Sequence, residues 1–266
     1  GCGYLGAVHA SAMAELGHEV VGIDIDEEKS GQLLAGKAPF FEPGLSEVLT
    51  SALASGRLTF TTDMARAADA NVHFIAVGTP QSRDSQAADL TYVDAAVAGL
   101  VPYLAPGDLV VGKSTVPVGT AARLAAVVTK HVPGAMLAWN PEFLREGYAV
   151  KDTVAPDRLV YGVADDHAAA ILDEVYATAI ENGTPRVVTD YATSELVKVA
   201  ANAFLATKIS FINAMAEIAE VTGADVTQLA DALGHDARIG RRFLNAGVGF
   251  GGGCLPKDIR AFVARA

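Results

Sequence analysis

A glycine-rich stretch near the end of the chain brings one thiol close in sequence to a cation and a carboxylate. Five of the seven residues before Cys254 are glycine, which frees the backbone to approach a ligand closely. Pro256-Lys257-Asp258 then predicts a helix start, because proline suits a first helical turn. A cysteine there has its thiolate favoured by the helix dipole and by Lys257. The pattern predicts a reactive thiol with Asp258 one turn away; the alternative is a flexible linker before a small buried cysteine.

A second group of candidates is a pair of carboxylates. Glu142 and Glu146 stand four residues apart, so a helix would place both on one face. Phe143 and Leu144 between them favour partial burial, and buried paired carboxylates tend to have shifted pKa values and general-base roles. The alternative is a solvated helix N-terminus in which Arg145 is a partner.

The third group lies on a long apolar segment. Residues 191–222 predict one helix, with Asp190 as its N-cap and Gly223 as its end. The segment is apolar almost all round, which predicts burial in a domain core or a subunit interface. Lys198 and Asn202 interrupt it one turn apart. A buried lysine needs a partner or a ligand, the alternative being a side chain that extends to solvent.

The first six residues, Gly1-Cys2-Gly3-Tyr4-Leu5-Gly6, match the G-x-G-x-x-G pattern of a dinucleotide-binding turn. A helical pattern follows, and then a strand, 19–24, that ends in Asp24. Such an acid binds ribose hydroxyls and disfavours a 2′-phosphate, so NAD is expected rather than NADP. An ordinary glycine turn is the alternative, and Cys2 is interpreted as a small filler. The cofactor-binding residues predicted here are Gly1, Gly3, Tyr4, Leu5, Gly6 and Asp24.

Short apolar strands alternate with helical segments over the first two thirds of the chain. The later strands are predicted at 58–61, 72–77, 108–113, 136–139 and 158–161, with helices at 44–55, 92–104, 118–131 and 166–180. This alternation predicts a doubly wound α/β domain of the Rossmann type with a parallel sheet, followed by a helical domain built on the long helix. Polar turn residues follow three strand ends, at 78–80, 114–119 and 140–147, where such sheets bind ligands.

Composition limits the class of protein. The 266 residues are 51% hydrophobic and carry a net charge of -11, which favours a globular chain and argues against nucleic acid as a partner. The two cysteines are far apart, which suggests no disulfide framework and fits a reducing cytoplasm. The sequence offers no signal peptide and no uninterrupted apolar run of membrane-spanning length, so no membrane partner is expected. Because the chain begins within a glycine motif and ends within a helical pattern, trimming at both ends is expected.

Taken together, the motifs resemble the UDP-glucose/GDP-mannose dehydrogenase family over nearly all 266 residues. They are Gly-x-Gly-Tyr-x-Gly, Glu42-Pro43-Gly44, Thr79-Pro80, 114–119, 140–147, Asp157-Arg158, 200–204 and 251–258. The resemblance implies an NAD-binding domain at 1–189, expected to lack its first strand, and a helical central domain at 190–266 whose long helix forms a dimer. A C-terminal nucleotide-sugar-binding domain is expected to be absent. One mild departure is Gly253, where a serine often precedes the cysteine.

The resemblance also implies a reaction, the oxidation of a sugar primary alcohol to a carboxylate by two hydride transfers to two NAD. The Cys254 thiolate would add to the intermediate aldehyde, and the second hydride transfer would leave a thioester that water hydrolyses. The expected substrate is UDP-glucose, which would give UDP-glucuronate. GDP-mannose and UDP-N-acetylmannosamine stay open, because the family members share these motifs.

Residue roles follow from the same resemblance. Lys198 and Asn202 would stabilise oxyanions, Asp258 and Thr115 would position water or transfer protons, and Glu146 would assist thioester hydrolysis near the nicotinamide. The catalytic set is Cys254, Lys198, Asn202, Asp258, Glu146 and Thr115. Thr79, Thr115, Glu146 and Lys257 join the cofactor-binding set, and no metal is expected. The substrate-binding set is Glu142, Phe143, Leu144, Lys198, Asn202, Arg238, Phe243 and Gly251. Arg238 matches a family arginine that reaches the neighbouring subunit's site, which implies a homodimer or a higher homo-oligomer.

Two other classes of protein stay open. A single-step hydroxyacid dehydrogenase on the same plan needs a Lys/Asn pair on the long helix but no thiol. An NAD-responsive binding protein without turnover would be expected to lack at least one of Cys254, Lys198 and Asp258, and all three are present.

Overall fold

The computed structural model describes residues 1–253 and 255–265. The described chain divides into two compact units. The first consists of Gly1–Pro80 and Asp89–Leu196, and the second consists of Gln81–Ala88 together with the chain from Val197 onwards. The sequence places the domain boundary after residue 189, whereas this division falls a little later, inside a long helix.

The elements follow the predicted alternation. In chain order the first unit contains α1 (Tyr4–Glu15), β1 (Val20–Ile23), α2 (Glu27–Leu34), α3 (Leu45–Ala54), β2 (Leu58–Thr61), β3 (Val72–Ile75), α4 (Thr91–Leu100), β4 (Leu109–Gly112), α5 (Thr120–His131), β5 (Met136–Trp139), α6 (Ala149–Val154), β6 (Leu159–Gly162), α7 (Asp166–Val175), α8 (Ala177–Glu181), β7 (Arg186–Thr189) and the start of α9 (Tyr191–Thr222). The second unit contains the rest of α9, then α10 (Val226–Gly234) and α11 (Leu255–Arg265).

Most predicted elements are present, and α9 has the predicted bounds. The helix predicted at 166–180 is instead divided between α7 and α8. The break falls at Tyr176, whose buried hydroxyl donates a hydrogen bond to Asn140 Oδ1 (2.7 Å). Strand β7 was not predicted from the sequence, although Val187, Val188 and Thr189 are β-branched residues of the kind enriched in strands.

The strands of the described residues form two sheets, β1–β2 and β3-β4-β5-β6-β7. Their pairings are parallel except for β5 with β6, where Trp139 lies antiparallel to Gly162. The prediction that 158–161 joins a wholly parallel sheet is therefore wrong. Parallel neighbours are usually joined by a helical crossover, whereas the β5–β6 connection is irregular over 140–148 and contains only the short helix α6. The doubly wound α/β architecture itself is confirmed.

The larger sheet is covered on both faces. Every residue of β4 and β6 is buried, as expected for strands between two layers of helices. One apolar cluster includes Val97, Leu124 and Trp139, and the cluster around Met13 and Tyr161 is separate from it. This double cover keeps the strands fixed, so that the loops at their carboxyl ends start from defined positions.

The second unit is organised around α9. Ile212 of this helix belongs to a small apolar core with Ala230 and Leu244. Two polar side chains of α9 hold the chain that follows α10: Lys208 Nζ donates to the carbonyl of Ile239 (2.9 Å), and Asn213 Oδ1 accepts from the N–H of Gly247 (2.9 Å). The glycine-rich stretch is therefore tied to the long helix at its start.

By length and composition alone, α9 is also long and apolar enough to cross a membrane. The central helices of globular domains share these properties, so a single such helix is weak support for a membrane assignment. The helix also carries charged residues along its length, including the buried Glu195 and Lys198.

A cavity of about 480 Å³ lies between the two sheets of the first unit. Its lining includes Val20 and Gly22 of β1, Val72 and Phe74 of β3, and Gly1. Among the described residues β1 pairs only with β2, and β3 pairs only with β4. Two strand edges therefore line the same cavity without pairing with each other.

Gly112 provides a test of the packing that fixes β4. A Cβ added there would overlap the ring of Trp139, which is 1% exposed. We expect Gly112→Ala to lower the free energy of unfolding by about 1–3 kcal/mol, because the ring cannot move without disturbing the core. Gly31→Ala is the control, since a Cβ on that α2 residue has open space and should stabilise the protein. Denaturant unfolding measures both, and equal stability of the two variants would contradict the packing argument.

Candidate active site

The turn at the start of the chain has the geometry of a dinucleotide-binding turn. A Cβ on Gly6 would overlap the carbonyl oxygen of Gly1, so the close approach of α1 to the turn requires glycine. A Cβ on Gly3 would meet nothing within 4 Å, so this side of the turn is open to a ligand. Tyr4 and Leu5 form the first turn of α1, whose N–H groups and dipole favour an anion. These features fit the pyrophosphate of NAD.

Asp24 lies directly after β1 and contacts this turn. Its Oδ2 accepts the N–H of Cys2 (2.7 Å), and its Oδ1 accepts the N–H of Asp26 (3.1 Å). Burial opposes ionisation of Asp24, but these N–H groups and the Lys29 ammonium more than offset it and hold the pKa of Asp24 below its usual value. The structure therefore brings the predicted ribose-binding acid against the predicted pyrophosphate turn.

Sequence reasoning missed Lys29. Its ammonium lies 3.1 and 3.2 Å from the two carboxylate oxygens of Asp24. The sequence contains a signal for this contact, because Asp26 is a typical N-cap residue three positions before Lys29. In the structure Asp26 caps α2 by accepting the N–H of Lys29 (2.9 Å), which turns the first helical residues back toward the end of β1. Cys2, in contrast, is buried, and burial raises the pKa of its thiol to about 11.

Two strand-end loops are joined to each other at Thr79 and Thr115. Thr79 Oγ1 donates to the carbonyl of Thr115 (2.8 Å), and Ser114 Oγ donates to the carbonyl of Val77 (2.7 Å). Strands β3 and β4 are parallel neighbours, so their carboxyl ends lie side by side. Two of the predicted cofactor-binding residues are therefore in direct contact.

The prediction that Glu142 and Glu146 share a helical face is wrong. Residues 140–148 are irregular, and α6 begins only at Ala149. Glu146 is exposed, while Glu142 is half-buried and accepts the N–H of Leu144 on Oε2 (2.6 Å). Gly147 has a φ of 85°, which is a left-handed conformation that interrupts a helix.

In this loop the carboxylate of Glu42 accepts backbone N–H groups that carbonyl groups would accept in a helix. It is buried, and it accepts the N–H of Gly147 on Oε2 (2.9 Å) and the N–H of Ala149 on Oε1 (2.8 Å). The Tyr4 hydroxyl donates to the same carboxylate, and burial together with that carboxylate raises the pKa of Tyr4. Glu42 therefore joins the cofactor turn to the loop that carries the predicted substrate residues. Its backbone partners lie more than 100 residues away and Tyr4 lies 38 residues away, so no local pattern reveals this role.

The next two residues of that loop are packed against the first unit. The guanidinium of Arg158 lies over the ring of Phe143, with its Cζ 3.8 Å from the ring centroid. Leu144 packs in the cluster formed by Val8, Leu45 and Ala149. The loop is irregular but held on both sides.

In the second unit, predicted catalytic residues from α9 and α11 meet. Asn202 Nδ2 donates to Asp258 Oδ2 (2.7 Å), and the Lys257 ammonium donates to Asp258 Oδ1 (2.7 Å). Asp258, Asn202 and Lys198 are all buried, with Asp258 2% exposed. Cys254, the predicted nucleophile, lies outside the described residues.

The remaining predicted residues lie after α10. Arg238 is largely exposed and forms an ion pair with Asp236 (2.6 Å). Phe243 has a φ of 66°, and a non-glycine residue in that left-handed conformation is strained, as is common at functional sites. Gly251 lies in the exposed glycine-rich stretch.

The fold and these groups define a class. The first unit is a doubly wound domain with the turn, acid and strand-end loops of an NAD-binding dehydrogenase. The second unit holds a buried amide and carboxylate of the kind that positions a reacting group.

Comparison with known proteins places this chain within the class. Residues 1–180 match the NAD binding domain of the UDP-glucose/GDP-mannose dehydrogenase family, and residues 192–266 match its central domain. The chain belongs to this family. NAD is therefore confirmed as its cofactor, as the sequence predicts.

Individual relatives agree with this assignment. The chain is 47% identical to the UDP-glucose 6-dehydrogenase of Rhizobium meliloti, over all of this chain and 62% of the relative. It superposes with a TM-score of 0.91 on a UDP-glucose dehydrogenase from Pyrobaculum islandicum, at 44% identity over 99% of this chain and 62% of that one. It superposes on the GDP-mannose dehydrogenase of Pseudomonas aeruginosa with a TM-score of 0.83, at 33% identity over 100% of this chain and 63% of that one. The chain spans about three fifths of the length of the curated relatives it matches.

The low pKa of Asp24 makes a prediction about acid stability. A carboxyl whose folded-state pKa lies below its unfolded value stabilises the fold above the unfolded value, and this stabilisation is lost as the pH falls through the folded value. At neutral pH without cofactor, we expect Asp24→Asn to cost about 1–3 kcal/mol of unfolding free energy. The difference in unfolding free energy between variant and wild type should become smaller below the usual aspartate pKa of about 4.

The control for this measurement is Asp94→Asn. Asp94 forms an exposed ion pair with Arg123 (2.7 Å), and its loss should cost under about 1 kcal/mol. Chemical denaturation at a series of pH values tests both variants. An Asp24→Asn gap that stays constant into strong acid would show that the ionised carboxylate is not the source of the stability.

Proposed function

We propose that the protein of which this chain is part oxidises the primary alcohol of a nucleotide sugar to a carboxylate, using NAD, and that the sugar is UDP-glucose. The observation that carries the proposal is the buried hydrogen bond from Asn202 to Asp258. Asn202 lies on α9, the helix that also bears Lys198. A one-step dehydrogenase has no need of the Cys254 thiol next to this cluster in the sequence. The proposal accounts for the thiol and for the cluster together.

The cofactor residues support the first half of the chemistry. We assign Gly1, Gly3, Tyr4, Leu5 and Gly6 to the pyrophosphate, and Asp24 with Lys29 to the adenosine ribose. Thr79, Thr115, Glu146 and Lys257 complete the predicted set. When bound, NAD accepts a hydride, and each sugar requires two such transfers. Asp24 favours NAD over NADP, because its carboxylate would repel a 2′-phosphate.

The thiol and its neighbours perform the second half. The Cys254 sulfur attacks the aldehyde carbon formed by the first oxidation, and the second oxidation converts that adduct into a thioester on the same sulfur. Lys198 and Asn202 are fixed, buried donors, which suits them to stabilise the negative oxygen of each intermediate. Asp258, already held by Asn202 and Lys257, positions the water that releases the acid, with Thr115 and Glu146 as further groups for proton transfer. The reducing cytoplasm that we propose for the protein would keep the thiol free.

The substrate residues are proposed on the same grounds. Phe143, held under Arg158, and Leu144 offer an apolar surface, with Glu142 beside them. Arg238, Phe243 and Gly251 come from the chain after α10. The identity of 47% to a UDP-glucose 6-dehydrogenase supports UDP-glucose over GDP-mannose, for which the compared dehydrogenase is 33% identical.

The thiol makes the sharpest prediction. We expect Cys254→Ser in the intact enzyme to abolish release of the uronic acid, because an oxygen ester would replace the more labile thioester. Product analysis with UDP-glucose, counting NADH per sugar, tests this. Cys2→Ser is the matched control and should retain two NADH per acid. A Cys254→Ser enzyme that also makes acid with two NADH per sugar would exclude the thiol mechanism. A wild-type enzyme that prefers GDP-mannose in the same assay would exclude UDP-glucose as the substrate.

We further propose that the chain forms a homodimer through α9. Phe204, Phe211 and Ile218 are spaced seven residues apart and are 65%, 46% and 53% exposed. Side chains repeated at this interval form one apolar stripe along a helix, as in helices that pair with a partner. Lys198 and Asn202 lie on the opposite face, so the stripe is separate from the catalytic residues. A second copy of the chain is the proposed occupant.

A double variant, Phe204→Asp and Phe211→Asp, should convert the dimer to a monomer, because each carboxylate would be buried without a partner. Sedimentation at micromolar concentration measures the change. Glu220→Lys on the opposite face of α9 alters charge without touching the stripe and should leave the dimer intact. A wild type that sediments as a monomer would contradict the proposal.

A further inference from the structure

Glu195 is a buried carboxylate for which the proposed chemistry has no use. It lies in the second turn of α9 and is 1% exposed. Its Oε2 accepts the N–H of Gly119 (2.7 Å), and its Oε1 accepts the N–H of Ala121 (2.6 Å). Both N–H groups belong to the N-terminus of α5, which follows the carboxyl end of β4.

This position is one that open α/β sheets commonly use for an anionic ligand. The N-terminus of a helix presents N–H groups and the positive end of its dipole. In this chain the anion is supplied internally, by a side chain 74 residues from Ala121 in the sequence. The N-cap Gly119 has a φ of 101°, which turns the chain so that its N–H points at the carboxylate.

The loop that Glu195 holds is the one that carries Thr115. At its beginning, Ser114 donates to the carbonyl of Val77 (2.7 Å), and Thr115 accepts the hydroxyl of Thr79 (2.8 Å). At its end, the carboxylate of Glu195 takes two backbone N–H groups. Thr115 therefore lies in a segment that is fixed at both ends, with Thr79 of the neighbouring loop hydrogen-bonded to it, and Glu195 is the only charged group among these contacts.

We propose that Glu195 is a positioning residue for the cofactor side of the reaction. Through Gly119 and Ala121 it holds Thr115, together with Thr79 that is hydrogen-bonded to it, in their cofactor-binding positions. The effect on cofactor binding rests on the NAD site alone, whereas the effect on turnover rests on the proposed function.

The test compares Glu195→Gln with wild type and with Glu220→Gln, which removes an exposed carboxylate from the same helix. An amide has one acceptor oxygen where the carboxylate has two, so one of the two N–H groups loses its partner. We expect NAD to bind about 10-fold more weakly by calorimetry, because one charge-assisted hydrogen bond is lost. Amide hydrogen exchange should speed up at Gly119 and Ala121 and in the loop that carries Thr115. Turnover should fall at saturating NAD and nucleotide sugar, well below the melting temperature.

The outcomes separate the proposal from its alternatives. A Glu195→Gln protein that melts earlier but keeps wild-type NAD affinity and kcat would show that Glu195 only supports the fold, which overturns the proposal. Wild type that binds NAD but oxidises no nucleotide sugar would refute the proposed function, while weaker NAD binding by Glu195→Gln would still support the role of Glu195. If Glu195→Gln does not fold, Glu195→Asp, which keeps the charge at shorter reach, gives the same readouts, and unchanged NAD affinity there counts against the proposal.

Discussion

Buried carboxylates that accept backbone N–H groups hold the loops of this protein in place. Asp24 accepts from Cys2, Glu42 from Gly147 and Ala149, and Glu195 from Gly119 and Ala121. Burial of a charge is unfavourable, and short hydrogen bonds from backbone N–H groups oppose that cost. They outweigh burial at Asp24, whose pKa is lowered, but not at Glu195, whose pKa burial raises. Each contact joins segments that are distant in sequence. The strand ends would otherwise lead into loops with little to fix their shape.

These three contacts connect separate segments of the first unit. Asp24 fixes the glycine turn to the end of β1, Glu42 fixes that turn to the 140–148 loop, and Glu195 fixes the loop after β4 to α9. In the second unit, Asp258 has a similar place between Asn202 and Lys257, although there the donors are side chains rather than backbone.

Local sequence patterns are sufficient to predict most helices and strands. They do not predict the long-range contacts that join these elements. The bounds of α9 followed from its cap, its apolar run and its terminal glycine, and the dinucleotide turn followed from three glycines and an acid at a strand end. The helix expected around Glu142 failed because Glu42, a hundred residues away, binds the N–H groups that such a helix would have used. The direction of β6 depends on its tertiary neighbours, and the roles of Glu42 and Glu195 depend on partners that no short window contains.

Unpaired strand edges of β1 and β3 line one cavity among the described residues. A strand edge recognises an extended segment through backbone donors and acceptors, whatever the side chains. One further strand between these edges would join the two sheets into one, so no separate ligand is needed to account for the cavity.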